Sequence, residues 1–162
     1  MITLSDIERL SPKTTSDAYS KELCEVTWTL SKMHHVHRGT MFENRIAEVI
    51  TEETGADVEV TYPSAPWDIT VNDNIKIEVK SSLVDKWGSC RFQNVKPNKF
   101  NYIVFCWVNP NGIIIKWANS DDVAKFCSKR NCGNNGYKMP LDANENWLKE
   151  IPELLEIIKD TP

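Results

Sequence analysis

The chain lacks any apolar run of the ~18 residues that a membrane-spanning helix needs, so no such span is expected. Its opening residues, Met1 to Asp6, show no basic stretch followed by an apolar one, so a secretory leader is not expected either. The five cysteines (Cys24, Cys90, Cys106, Cys127, Cys132) are odd in number and scattered, which speaks against a disulfide framework. Reduced thiols in an intracellular protein, cytoplasmic or nucleoid-associated, fit this pattern. Internal repeats and low-complexity tracts are missing too. So is an excess of positive charge: a net charge of −4 argues against a protein that coats nucleic acid without discrimination.

What is present reads as one globular domain. Hydrophobic residues make up 41% and charged residues 26%, ordinary for a packed protein rather than a disordered one. A length of 162 residues suffices for a single core. Charge is unevenly spread. Residues 76–140 hold eleven Lys/Arg against four Asp/Glu, whereas residues 33–75 hold two against eight. A basic central segment suits a phosphate-binding face, and equally a plain solvated surface.

The patterning predicts helices first. Ser5-Asp6-Ile7-Glu8 fits a capping box opening a short helix. Ala18, Leu23, Val26, Leu30 and Met33 are spaced as one apolar face of a helix over 15–35. His34 and His37 could share a helical face, but no nearby Cys completes a zinc spacing, and an exposed helix end accounts for them. Phe42, Ile46, Ala47, Val49 and Ile50 predict a helix over Thr40–Thr54, closed by Gly55. Glu43 falls on that apolar face, where a carboxylate usually has a task; alternatively, Thr40-x-x-Glu43 is a capping box.

A strand is predicted from Asp57 to Tyr62, a loop over 83–99, and a doubly buried strand over 101–108. A second buried strand follows at Ile113–Trp117 after the turn Asn109–Gly112. Ser120 is placed to cap the next helix. Residues 128–140 read as a polar loop in which Cys127-x4-Cys132 is a poor zinc motif, and residues 144–160 read as acidic and helical, with Pro152 in a first turn.

The informative stretch is Pro66-Trp67-Asp68 followed by Ile75-Lys76-Ile77-Glu78-Val79-Lys80. Strict alternation marks a strand, and Asn72-Asp73-Asn74 is turn chemistry, so the pair predicts an antiparallel hairpin. A two-residue loop would set Asp68 opposite Val79, away from Glu78. A three-residue loop, or a bulge, sets Asp68 opposite Glu78, with Cβ atoms roughly 5 Å apart. Two carboxylates that close need positive charge between them, and a hard divalent cation such as Mg²⁺ supplies it. The alternative is an exposed, salt-bridged hairpin, each pair contributing about 0–1 kcal/mol.

Glu43 on a helix, then Pro66-Trp67-Asp68, then Glu78-Val79-Lys80, with Arg38-Gly39 before Phe42-Glu43 and Gly55 ahead of the strands, resembles the PD-(D/E)XK nuclease superfamily over residues 38–117. A Trp separates Pro66 from Asp68, a departure from the nominal Pro-Asp pair. The resemblance implies an α/β fold, a restriction-endonuclease-like α/β/α sandwich with a mixed central sheet flanked by helices. It divides the single domain into an N-terminal helical part (1–37), a catalytic core (38–117) and a C-terminal helical part (118–162).

The resemblance further implies Mg²⁺, with Mn²⁺ able to substitute, held by Asp68, Glu78 and the Val79 backbone carbonyl, and by Glu43 through water or a second ion. Lys80 would hold or deprotonate the attacking water and offset phosphate charge. Gln93, Arg91, Lys96, Lys99 and Ser82 are candidate substrate contacts, as are Trp67 and Trp87, which could stack on bases or simply pack. The implied activity is an endodeoxyribonuclease leaving 5′-phosphate and 3′-hydroxyl ends, most like a small type II restriction enzyme acting on double-stranded DNA as a homodimer. The rivals are a structure-selective nuclease acting on branched DNA, of Holliday-junction resolvase or repair type, and a non-catalytic nucleic-acid-binding protein of the same fold.

Overall fold

The computed structural model describes residues 18–130, 132 and 137–162. The helix expected at Ser5–Glu8 lies outside the described residues. In chain order there follow helices α1 (Glu25–Lys32) and α2 (His35–Thr54) and strands β1 (Val58–Val60), β2 (Ile69–Val71), β3 (Ile75–Leu83) and β4 (Arg91–Val95). A 3-10 turn (Pro97–Lys99), β5 (Tyr102–Asn109), β6 (Gly112–Asn119), α3 (Ser120–Arg130), β7 (Tyr137–Pro140), β8 (Lys149–Glu150) and α4 (Ile151–Lys159) complete the order.

One six-stranded sheet runs β1-β2-β3-β5-β6-β8, and a separate ribbon pairs β4 with β7. Only β3 and β5 are parallel in the large sheet; its other neighbours are antiparallel. The protein is therefore mixed α/β, with a mixed six-stranded sheet and four helices among the described residues. None of these helices is long and apolar enough to cross a membrane.

Strand β5 explains the layering. Its apolar run is buried on both faces, as the unbroken Ile103–Val108 hydrophobicity predicts. Val104, Cys106 and Val108 pack with Leu30 of α1, Phe42, Ile46 and Ile50 of α2, and Leu154 and Ile158 of α4. Ile103, Phe105 and Trp107 pack on the other side with Phe92 and Val95 of β4, Val123 and Phe126 of α3, and Met139 of β7. Alternate side chains of one strand thus nucleate two cores.

Several expectations are corrected. Of the helix predicted over 15–35, residues 15–17 lie outside the described residues and the rest contains α1 and only the first residue of α2; Leu23 and Val26 are exposed while Thr27 is buried. Thr27 can be buried because its hydroxyl donates to the Pro110 carbonyl (3.0 Å). Helix α2 begins at His35, not Thr40, with the His34 ring accepting the Val36 N–H. The predicted loop 83–99 contains the end of β3, all of β4 and the 3-10 turn, and the predicted loop 128–140 contains β7. Residues Ile113 and Ile114 are partly exposed because β8 covers only Lys116 and Trp117 of β6. Asn119, not Ser120, caps α3 through the Asp122 N–H (2.8 Å). Before α4, residues 144–150 form turns and the short β8; Pro152 does lie in the first turn of α4. All five cysteines are free thiols.

The β2–β3 loop is the odd one. Val71 pairs with Ile75, Thr70 with Lys76 and Ile69 with Ile77, leaving Asn72, Asp73 and Asn74 in the turn. Asn72 and Asp73 take left-handed backbone angles, φ 49° and 62°. Asn72 also ties the loop to the start of β1, its side-chain oxygen accepting the Asp57 N–H (3.0 Å). Replacing exposed Asp73 by Val should cost about 1–2 kcal/mol, the penalty for a left-handed branched residue. Asn74→Val, at a position without positive φ, should cost less than half of that in urea denaturation.

Candidate active site

The ladder closes on Ile69 and Ile77, and Asp68 and Glu78 are the next residue outward on each side of it. Strand β2 ends at Ile69, and Asp68 closes the gap in person: its N–H donates to the Ile77 carbonyl (3.1 Å), and its carboxylate accepts the Val79 N–H (2.8 Å). Because Val79 directs that N–H toward β2, its carbonyl shares the same edge of β3. Glu78 turns instead along its own strand to the Lys80 ammonium at 2.8 Å.

Both acids are buried, Asp68 at 6% exposure and Glu78 at 9%. An exposed salt-bridged hairpin is therefore not what this hairpin is. Burial, first of all, pushes the Asp68 carboxyl above its ordinary range, against the opposing pull of the Val79 N–H and of Lys80. Burial likewise raises Glu78 even though Lys80 pulls it down, with Asp68 adding to the rise. Lys80 alone does not balance the two carboxylates.

Glu43 is brought in from α2. With the helix starting at His35, Thr40 sits inside it and cannot cap it, so the capping-box explanation of Glu43 falls away. Its carboxyl is pushed up to about 7, by burial first and then by the charges of Asp68 and Glu78. A single cleft of about 490 Å³ is lined by Glu43, Asp68, Glu78, Val79 and Lys80 together. Among the described residues, no three His, Cys, Asp or Glu side chains are drawn tightly enough together to enclose an ion in this conformation. Each buried acid is turned to a nearer donor.

The candidate substrate residues divide. Lys96 and Lys99 line the cleft. Arg91, Gln93, Ser82, Trp67 and Trp87 do not. A β-bulge explains Gln93: Phe92 pairs with Met139 and Val95 with the residue two before it, so β4 carries one extra residue. Asn94, at φ 60°, turns into the cleft in place of Gln93. Ser82 donates to the Arg91 carbonyl (2.9 Å). Trp67 donates to the Thr70 hydroxyl (2.8 Å) and lies under the Lys76 ammonium, so it packs. Trp87 is 76% exposed beside Lys86.

The sequence reading missed His35, Gly39, Tyr62, Ser81 and Asn94, all of which line the cleft. His35, Gly39 and Glu43 repeat at four-residue spacing on one face of α2, a signal hidden by starting the helix at Thr40. The zinc reading of His34 and His37 gains nothing: their rings lie 6.0 Å apart, and both residues are exposed.

Fold and site define a class, a mixed α/β protein with a carboxylate- and lysine-lined cleft where β2 ends beside β3. Beyond that class, the chain matches no protein-family model and no curated protein sequence.

Glu43 binds its proton more tightly folded than unfolded, so its contribution to stability is fully present below about pH 4.5 and is lost as pH rises through about 7. Glu43→Gln should therefore raise Tm in EDTA at pH 8 and leave it nearly unchanged at pH 4.5. A lowered Tm at pH 8 would show that the carboxylate is stabilised rather than strained there.

Proposed function

We propose that this protein is a Mg²⁺-dependent endodeoxyribonuclease of the PD-(D/E)XK kind, with the restriction-endonuclease-like sandwich as its architecture. The carrying observation is that buried Asp68 and Glu78, across an odd-loop hairpin, share one cleft with Lys80 and Glu43. Lys80 is the cation paired with these acids, Arg38, Lys96 and Lys99 being elsewhere on the lining, and burying carboxylates short of full pairing is costly.

Oxygen donors of this type suit a hard divalent cation. Asp68, Glu78 and the Val79 carbonyl would hold it, with Glu43 reaching it through water or a second ion. Once bound, Mg²⁺ or Mn²⁺ lowers the pKa of an attacking water and polarises the phosphate. Lys80 Nζ, 2.8 Å from Glu78, orients that water and offsets charge growing on the phosphate. Lys96 and Lys99 at the cleft wall face the DNA backbone. The products carry 5′-phosphate and 3′-hydroxyl ends, and double-strand cutting calls for two such sites in a homodimer.

Supercoiled plasmid should be cut in Mg²⁺ and left intact in EDTA, with Lys80→Ala slower by about 10²-fold or more. A discrete band pattern supports a restriction-type enzyme, and cutting confined to branched DNA supports a structure-selective one. No cutting in Mg²⁺ or Mn²⁺ leaves the non-catalytic binder and ends the nuclease reading.

A further inference from the structure

The β4–β7 ribbon stands apart from the large sheet and carries residues that the cleft does not use. Phe92, Val95 and Met139 hold its inner face in the second core. Arg91 and Gln93, two positions apart on β4, are both exposed, as is Lys138 on β7.

The surrounding charge is one-sided. Residues 84–99 and 137–140 contain Lys86, Arg91, Lys96, Lys99 and Lys138, all exposed, against the single acid Asp85. Asp85 is occupied in its own turn, accepting the Trp87 and Ser89 N–H groups (2.9 and 2.8 Å). Among the described residues none of the five cations is in an ion pair. In a chain of net charge −4 this is a local basic surface facing solvent, complementary to a polyanion.

The ribbon is also joined to the cleft. Ser82 of β3 donates to the Arg91 carbonyl (2.9 Å), two residues along from Lys80. The other end of β4 supplies Asn94, and Lys96 follows, both on the cleft wall. Arg91 and Gln93 stand three residues and one residue before Asn94 on the same strand.

Resting on the nuclease reading above, we propose that the β4–β7 ribbon enters the major groove of duplex DNA beside the cleft and reads sequence through Arg91 and Gln93. The major groove admits a two-stranded ribbon, an Arg fork matches guanine O6/N7, and a Gln amide matches adenine N6/N7. Lys86, Lys96, Lys99 and Lys138 flank the pair as backbone contacts. The substrate is thus a short sequence in intact duplex, not a branch.

The test uses the full chain in EDTA, selecting from a random-sequence duplex pool, with mapped cleavage of a long DNA in Mg²⁺ measured separately. Wild type should enrich a short motif. Arg91→Ala should lose about tenfold to a hundredfold discrimination at one G·C position, and Gln93→Ala the same at one A·T position. Both side chains are exposed, so unchanged Tm values confirm that the variants fold. No enriched motif, the same motif in both variants, or a uniform weakening across all sequences overturns the ribbon's reading role. A motif that is enriched and lost on substitution, without cleavage in any metal, upholds the ribbon while removing the nuclease; cleavage without a motif does the reverse.

Discussion

The parity of one turn governs the site. A hairpin has two faces and a period of two, so an odd or even loop decides whether Asp68 stands with Glu78 or against it. Three residues, Asn72 to Asn74, make the odd choice, and two of them take left-handed angles that Asn and Asp tolerate better than most residues. With β3 held by β5, the alternative register would also turn Ile69 and Val71 of β2 out of the first core. Burial of those two apolar side chains, each about 1.5–3 kcal/mol, outweighs the local cost of the turn. The acids are therefore carried into the protein by the hydrophobic pattern of the same strand.

Once buried, the acids constrain one another. Asp68 is held by a backbone N–H and Glu78 by an ammonium, and both still sit above their ordinary carboxyl range because burial outweighs the two partners. Glu43 adds a third negative group from a different layer. An arrangement built for stability alone would pair each acid or replace it with an apolar residue. Three of them are instead kept around a cleft whose cations are Lys80 on Glu78 and, elsewhere on the lining, Arg38, Lys96 and Lys99.

Much of this was legible beforehand, for reasons of periodicity. Ile75 to Lys80 alternates without exception, and Ile103 to Val108 is apolar without exception, so β3 and β5 were plain. The odd loop could be stated as a requirement but not chosen, since two- and three-residue turns both suit Asn-Asp-Asn. The start of α2 was not legible: His34 caps it through a ring nitrogen, a residue with no strong capping preference, while Thr40 and Glu43 mimic a start five residues late. Leu23 and Val26 misled because a helix stripe counts hydrophobicity, whereas the core accepted Thr27 once Pro110 satisfied its hydroxyl. Strand β4 escaped because its partner β7 lies more than forty residues away, and a two-stranded ribbon with a bulge leaves little alternation in Arg-Phe-Gln-Asn-Val.

That same bulge divides the labour of β4. Without the extra residue, strict alternation would send Asn94 and Lys96 to the face of Phe92 and put Val95 outside with Gln93. With it, Phe92 and Val95 both remain in the second core, although three residues apart, and Asn94 is free to turn to the cleft. Gln93 stays outside with Arg91. Strand β3 then connects everything: Glu78 and Lys80 at the cleft, Ser82 on the Arg91 carbonyl, and parallel pairing with β5 between the two cores. Strand β4 is tied to this frame by the Ser82–Arg91 hydrogen bond and by Phe92 and Val95 in the second core.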